Sequence, residues 1–228
     1  MYVLLNNEQD QAVRHASGNL LVIAGPGSGK TRVLTHRIAH LIDAGSHPTR
    51  VLAVAFTNKA ASEIKERLVK THDQASRVWA GTFHSTCAKI LRIDSEKAGV
   101  IKNFQILDSD DQERVFVSLA KEIDPTIETK EAKDVARQAR EAVSLAKNTG
   151  LSPSEANLPS GFKSIGARYQ ERLGKMGALD FDDLLVKTRD YVASEQGAHW
   201  RSRFDHVLVD EFQDTNKLQY AWIKMIAG

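Results

Sequence analysis

A single cysteine, Cys87, among 228 residues excludes an internal disulfide and a cysteine-rich zinc site. No apolar run approaches the roughly 18 to 20 residues that a membrane-spanning helix needs, and the opening MYVLLNNEQDQ lacks a basic segment followed by an apolar one. The sequence therefore predicts a soluble protein of a reducing cytoplasm, with no membrane partner. Charge of one sign is also scarce. The formal net charge is +2, so overall electrostatics announce no polyanion binder. Its distribution is uneven: residues 1–85 carry an excess of Lys and Arg, 86–178 are nearly balanced, and 179–228 carry an excess of Asp and Glu. Any binding of nucleic acid has to rest on particular positions. With one and a half times the length of a common ~150-residue domain, the chain holds one large domain or a domain with a sizeable insertion.

Four short segments of branched and aliphatic residues read as buried strands: Leu20–Ala24, Val51–Phe56, Val78–Gly81 and Val207–Asp210. Leu34, Ile38, Leu41 and Ile42 fall at helical spacing between the first two, and Ala60, Ala61, Ile64 and Leu68 do so after the second. Alternation of strand and helix predicts an α/β protein with a parallel sheet flanked by helices. From about residue 87 to 176 strand signals fade and helical ones take over, as in a mainly helical insertion. There Ser109-Asp110-Asp111-Gln112 reads as a capping box before Val115, Phe116, Leu119 and Ile123, a second helix spans about Lys130 to Lys147, and Pro153, Pro159 and Gly161 mark a loop. The expected division is an α/β domain of residues 1–86 and 177–228, interrupted by a helical insertion of 87–176.

Ala24-Gly25-Pro26-Gly27-Ser28-Gly29-Lys30-Thr31 lies between an apolar segment and an amphipathic helix, the context that a P-loop requires. Glycines let backbone N–H groups turn inward to cradle phosphates, Lys30 reaches the β/γ-phosphates, and the Thr31 hydroxyl suits Mg²⁺. Ala24 stands where the strict pattern has glycine. Val207-Leu208-Val209-Asp210-Glu211 delivers two adjacent carboxylates at the end of an apolar strand. Asp210 suits Mg²⁺ and Glu211 suits proton abstraction from an attacking water. The same pair also fits an ordinary acidic helix start.

Asp210-Glu211-Phe212-Gln213-Asp214-Thr215-Asn216, Phe56-Thr57-Asn58-Lys59-Ala60-Ala61, Gly81-Thr82-Phe83-His84-Ser85 and Leu5-Asn6-Asn7-Glu8-Gln9 together resemble the UvrD/Rep/PcrA group of superfamily 1 DNA helicases. The resemblance implies a RecA-like P-loop NTPase fold whose helical insertion is that family's 1B subdomain. It further implies ATP and Mg²⁺ as cofactors, single-stranded DNA and single-strand/duplex junctions as partners, and 3′-to-5′ polarity in DNA repair or replication. In this likeness Gln9 reads adenine, although Asn6-x-x-Gln9 is equally a helix-start capping pattern. Arg32 packs against the base, or is a solvated helix arginine. Gln213 senses the γ-phosphate, or simply begins a helix. Phe56, Thr57, Asn58, Lys59, Phe83 and His84 touch DNA in the resemblance. Core packing for the two phenylalanines and capping for Thr57 and Asn58 compete with that reading. Leu179-Asp180-Phe181-Asp182-Asp183-Leu184-Leu185 is expected to start a helix and has no catalytic role. Cys87 is expected to be a small buried or semi-buried residue beside the DNA-facing loop.

The sequence ends where the family's Gly-Asp-x-x-Gln block is expected, and no second RecA-like domain follows. The resemblance thus implies half of an ATP site, turnover near background for the chain alone, and dependence on a C-terminal motor domain. A motor of a helicase–nuclease complex, a non-catalytic nucleotide or DNA-binding module, and a P-loop phosphotransferase are the competing readings.

Overall fold

The computed structural model describes residues 5–151 and 155–228. Contacts divide the chain into two units, one of Met1–Thr86, His199–Thr215 and Ile226–Gly228, the other of Cys87–Ala198 and Asn216–Met225. In chain order the elements begin with α1 (Asn7–Arg14), α2 (Lys30–Asp43), β1 (Val51–Ala55), α3 (Asn58–Thr71), β2 (Trp79–Thr82) and α4 (Phe83–Ile93). Then come β3 (Gln105–Leu107), α5 (Ser109–Ile123), α6 (Thr129–Asn148), α7 (Ser160–Met176), β4 (Ala178–Asp180) and α8 (Phe181–Ala193). Strand β5 (His206–Val209) and helix α9 (Lys217–Ala227) complete the chain.

In the first unit β2, β1 and β5 form a parallel sheet in that order, with Leu52 opposite both Trp79 and Val207. Central β1 is buried along its whole length, which is why it reads as an unbroken apolar run rather than an alternating one. Ile38 and Ile42 of α2 and Ala61, Ile64 and Leu68 of α3 pack with Val51, Ala53 and Ala55 in one cluster. Their three- and four-residue spacing is the stripe that marks an amphipathic helix. Ile38, Ile64 and Leu68 are essentially inaccessible, and burial of each contributes about 2 kcal/mol. The parallel α/β architecture follows the sequence pattern.

The strand expected over Leu20–Ala24 does not form. Residues 19–25 carry no regular structure and pair with no described strand. Leu20, Leu21, Val22 and Ile23 are 40%, 68%, 39% and 89% exposed. Apolar residues make a segment suitable for a sheet, but a strand exists only where a neighbour completes its ladder and layers cover its faces. This segment has neither among the described residues.

The helical unit is built around α6. Ala132, Ala136, Ala139 and Val143 form its buried stripe, and their small side chains admit Phe116 and Leu119 of α5 and Ile165, Tyr169 and Leu173 of α7. Phe116 and Tyr169 stack with ring centroids 4.2 Å apart. Asp108, one residue earlier than expected, caps α5 by accepting from the N–H groups of Asp110 and Asp111, both at 2.9 Å. Its carboxylate reaches both orphan donors, so Ser109 becomes the first helical residue. Gly161 lies inside α7, and Pro159 immediately precedes it; Pro153 falls outside the described residues. Strands β3 and β4, a short parallel pair, had no signal of their own in the sequence. Cys87 is fully buried, and burial pushes its thiol up to about 12.

Asp180 does begin a helix, with a reciprocal capping box to Asp183 at the start of α8. These carboxylates also face a buried ammonium. Lys147 Nζ lies 2.7 Å from Asp180 Oδ2 and 2.9 Å from Asp183 Oδ1, and the Tyr169 hydroxyl donates to Asp180 Oδ2 at 3.1 Å. Burial, reinforced by the Asp180 charge, holds the Asp183 carboxyl above its ordinary range despite Lys147. Removing one partner of such a cluster leaves an uncompensated buried charge, so Lys147→Met should cost about 3–5 kcal/mol of stability in urea unfolding. Adding Asp180→Asn and Asp183→Asn should restore most of the loss. An unchanged midpoint for Lys147→Met would contradict this account.

Candidate nucleotide site

The chain enters the glycine-rich loop and turns at Gly25–Ser28, where the Ser28 hydroxyl and N–H both donate to the Gly25 carbonyl, at 2.7 and 3.3 Å. Gly29, in the left-handed region at φ +89°, then starts α2 without any side-chain cap. The N-terminal N–H groups of α2 and the positive end of its dipole thus form a suitable seat for an anion. A Cβ at Gly27 would meet nothing within 4 Å, so glycine there answers to its φ of +75°. A Cβ at Gly29 would stand 3.1 Å from Gln9 Nε2.

Gln9 reaches this loop from α1. Its Oε1 accepts from the Asn6 N–H at 3.0 Å, completing the capping box, while its Nε2 donates to the Ser28 carbonyl at 2.9 Å. Capping and contact with the P-loop are therefore compatible. Arg32 follows in the first turn of α2, and its guanidinium makes no hydrogen bond or ion pair among the described residues.

Strand β5 brings the acidic pair from the other end of the chain. Asp210 extends the ladder by one bond, its N–H donating to the Val54 carbonyl at 2.8 Å. Lys30 Nζ, which donates to the Ala24 carbonyl at 3.2 Å, lies 3.9 Å from Glu211 Oε1. Gln213 Nε2 donates to Glu211 Oε2 at 2.6 Å. Glu211 has φ +51°, the one positive value for a non-glycine residue among those described. That backbone costs on the order of 1 kcal/mol and persists only where its surroundings fix it.

Thr31 and Asp210 offer hard oxygen donors, and among the described residues no group of three or more His, Cys, Asp or Glu side chains is placed to hold a metal.

Because β1, β2 and β5 are parallel, the segments after them leave the sheet at its carboxyl edge. After β1, Phe56 is 46% exposed, Thr57 caps α3 through its hydroxyl (3.1 Å to the Ala60 N–H), and Asn58 and Lys59 face solvent. After β2 the arrangement differs. Phe83 is only 2% exposed, so the expectation that its ring meets DNA bases is corrected: its ring is packed into the interior. His84 is half-buried. Thr82 and Ser85 bond reciprocally there, the Thr82 N–H to Ser85 Oγ at 2.8 Å and the Ser85 N–H to Thr82 Oγ1 at 3.2 Å. A Cβ on Gly81 would come within 2.6 Å of Ser85 Oγ, which accounts for glycine in that block. This exchange had no sequence signal beyond the small residues themselves.

The site is electrostatically unbalanced. Burial first, then the neighbouring Glu211 charge, raises the Asp210 carboxyl above its ordinary range, with Lys30 and the Glu211 N–H pulling the other way. Glu63 on α3 adds a further negative charge that also raises it, and no local pattern in the sequence points to that neighbour. A carboxyl whose folded pKa exceeds its unfolded one weakens the fold once pH rises above the unfolded value. Asp210→Asn should therefore raise the urea midpoint of the Mg²⁺-free chain at pH 7.5. The gain should shrink as pH falls into the range where Asp210 protonates. A lower midpoint at pH 7.5 would contradict this.

Residues 5–228 match the model of the UvrD/REP helicase N-terminal domain. The chain is 41% identical to the ATP-dependent DNA helicase PcrA of Staphylococcus aureus (strain NCTC 8325 / PS 47) and 40% identical to that of Staphylococcus epidermidis (strain ATCC 12228 / FDA PCI 1200). Each match covers 98% of this chain and 32% of the relative, so the chain spans about a third of the length of these proteins. No described helix is long and apolar enough to cross a membrane. A P-loop and an acidic pair meeting on a parallel sheet accord with that match, and the chain belongs to the UvrD/REP helicase family, as an N-terminal domain.

Proposed function

We propose that the chain binds Mg·ATP and serves as the nucleotide-binding half of an ATP-dependent DNA helicase that moves 3′-to-5′ on single-stranded DNA. The approach of Lys30 to Glu211, from opposite ends of the sequence, carries the reading. In it, the N–H groups of Gly25 and of residues 27–31, together with the Lys30 ammonium, hold the phosphates, Thr31 and Asp210 hold Mg²⁺, and Arg32 packs on the base. The bound ion supplies charge neutralisation for the phosphates. Glu211 accepts a proton from water, and Gln213 orients Glu211 through the bond that joins them. Gln9 can still read a base edge: an amide has two donor hydrogens and two acceptor lone pairs, and the bonds to Asn6 and Ser28 occupy one of each.

Single-stranded DNA is proposed to run along the carboxyl edge, where Phe56 offers a stacking face and Thr57, Asn58, Lys59 and His84 offer polar contacts to phosphate. Residues 87–176 are proposed as the family's inserted 1B subdomain, and work at single-strand/duplex junctions as the role of the whole protein. PcrA carries the name of an ATP-dependent DNA helicase, and 41% identity across nearly the whole chain supports transfer of that activity class.

Calorimetric titration with Mg·ATP tests the nucleotide site. Lys30→Ala and Asp210→Ala should each weaken binding by about tenfold or more; equal heats for all three proteins would remove the basis of the reading. For DNA, Phe56→Ala should weaken binding of a labelled oligothymidylate about tenfold with the fold intact. Phe83→Ala should instead lower stability by about 3–5 kcal/mol. An exposed Phe56 whose loss leaves anisotropy titrations unchanged would contradict the DNA path.

A further inference from the structure

Helix α1 carries Gln9 to the P-loop, yet little apolar contact holds it there. The helix has about two turns, and Val13 is its buried residue. Its Asp10–Arg14 ion pair, at 2.9 Å, is largely solvated and adds little. At the far end the carbonyls of the last turn have no further turn to receive them. Arg37 of α2 meets them. Its Nη1 donates toward the carbonyl oxygens of Ala12, Val13 and His15 at 3.2, 3.1 and 3.0 Å. Burial lowers the pKa of this guanidinium, and no carboxylate pairs with it among the described residues. The negative end of the α1 dipole takes the place of a counter-ion.

Both tethers of α1 therefore belong to one rigid piece. Ser28, which receives Gln9, lies one residue before the Gly29 that starts α2, and Arg37 lies two turns along the helix. The start of α2 and Arg37 are about 10 Å apart along the helix axis. A helix held only through the Gln9 amide could pivot about that bond. Held at both ends, it keeps Gln9 at a fixed place relative to the phosphate cradle.

We propose that Arg37 is a positioning residue for base recognition: by pinning the carboxyl end of α1 to α2 it holds the Gln9 amide where it reads adenine, without itself touching the nucleotide. This rests on the proposed binding of Mg·ATP. A purely structural role would lower stability or weaken all nucleotides alike, whereas positioning alters preference between bases. The readout is the ratio of dissociation constants for Mg·GTP and Mg·ATP, obtained by competition against a fluorescent nucleotide, with a thermal melt of each variant.

The wild-type chain should prefer ATP. Arg37→Met should reduce that preference about three- to tenfold, the size expected for one lost hydrogen bond. Gln9→Ala should do the same, and the double variant should lose no more than Gln9→Ala alone. Arg14→Ala, on the solvent side of α1, should retain the wild-type ratio. Where Arg37→Met does not fold, Arg37→Gln, with a neutral and shorter donor, should give an intermediate ratio. A wild-type ratio in the folded Arg37 variant, or losses that multiply in the double variant, would overturn the inference. So would a wild-type chain that binds both nucleotides equally, with the proposed nucleotide site left standing. A chain that binds neither nucleotide would overturn that site and this inference together.

Discussion

Two carboxylates forced together at the end of β5, with a single ammonium nearby, set the terms for the rest of the site. Asp210 is fixed by its backbone bond to β1, Glu211 is turned into a left-handed conformation, and Lys30 stands 3.9 Å from the latter. Burial and mutual repulsion raise the Asp210 carboxyl. A protein selected for stability alone would relieve that repulsion. Beside an uncapped helix start and an open glycine loop, the proposed binding of a polyanion together with a cation would relieve it.

The fold makes this juxtaposition inexpensive. Parallel strands release their following segments on one edge, so residues from three distant parts of the sequence arrive there without long loops. The fully buried β1 and the packing of α2 and α3 in one apolar cluster give that edge a rigid base. Side-chain caps then fix the segments themselves: Thr57 on α3, the Thr82–Ser85 exchange after β2, and Gln9 between its own helix and Ser28.

Much of this was legible in the sequence because the chemistry is demanding. A phosphate cradle needs glycines, a lysine and a hydroxyl at fixed spacing, and a strand that ends in Asp-Glu has few other uses beside it. Helical stripes such as Ile38–Ile42 and Ala61–Leu68 were equally plain. What escaped depends on partners that a local pattern does not name. Leu20–Ala24 has the composition of a strand but no described neighbour to pair with. Phe56 and Phe83 occupy similar places after parallel strands, yet one ring leaves the surface and the other enters the core, because β1 is followed by a cap residue and β2 passes directly into α4. The three-residue strands β3 and β4 are too short for a periodicity to show, and the Lys147 cluster joins residues that look like routine caps and a routine surface lysine. Arg37 carries no local signal at all, since its partners are backbone carbonyls.

The central claim is that the loop near the beginning of the chain and the acidic pair near its end hold one triphosphate and its metal ion between them. Amide spectra of the ¹⁵N-labelled chain with ATP and Mn²⁺ in place of Mg²⁺ test this directly, because a paramagnetic ion broadens only what lies near it. The account predicts that the amides of Gly29, Lys30 and Thr31 and those of Asp210 and Glu211 broaden together, at the same low ratio of Mn²⁺ to protein. Broadening of one group while the other stays sharp would contradict it.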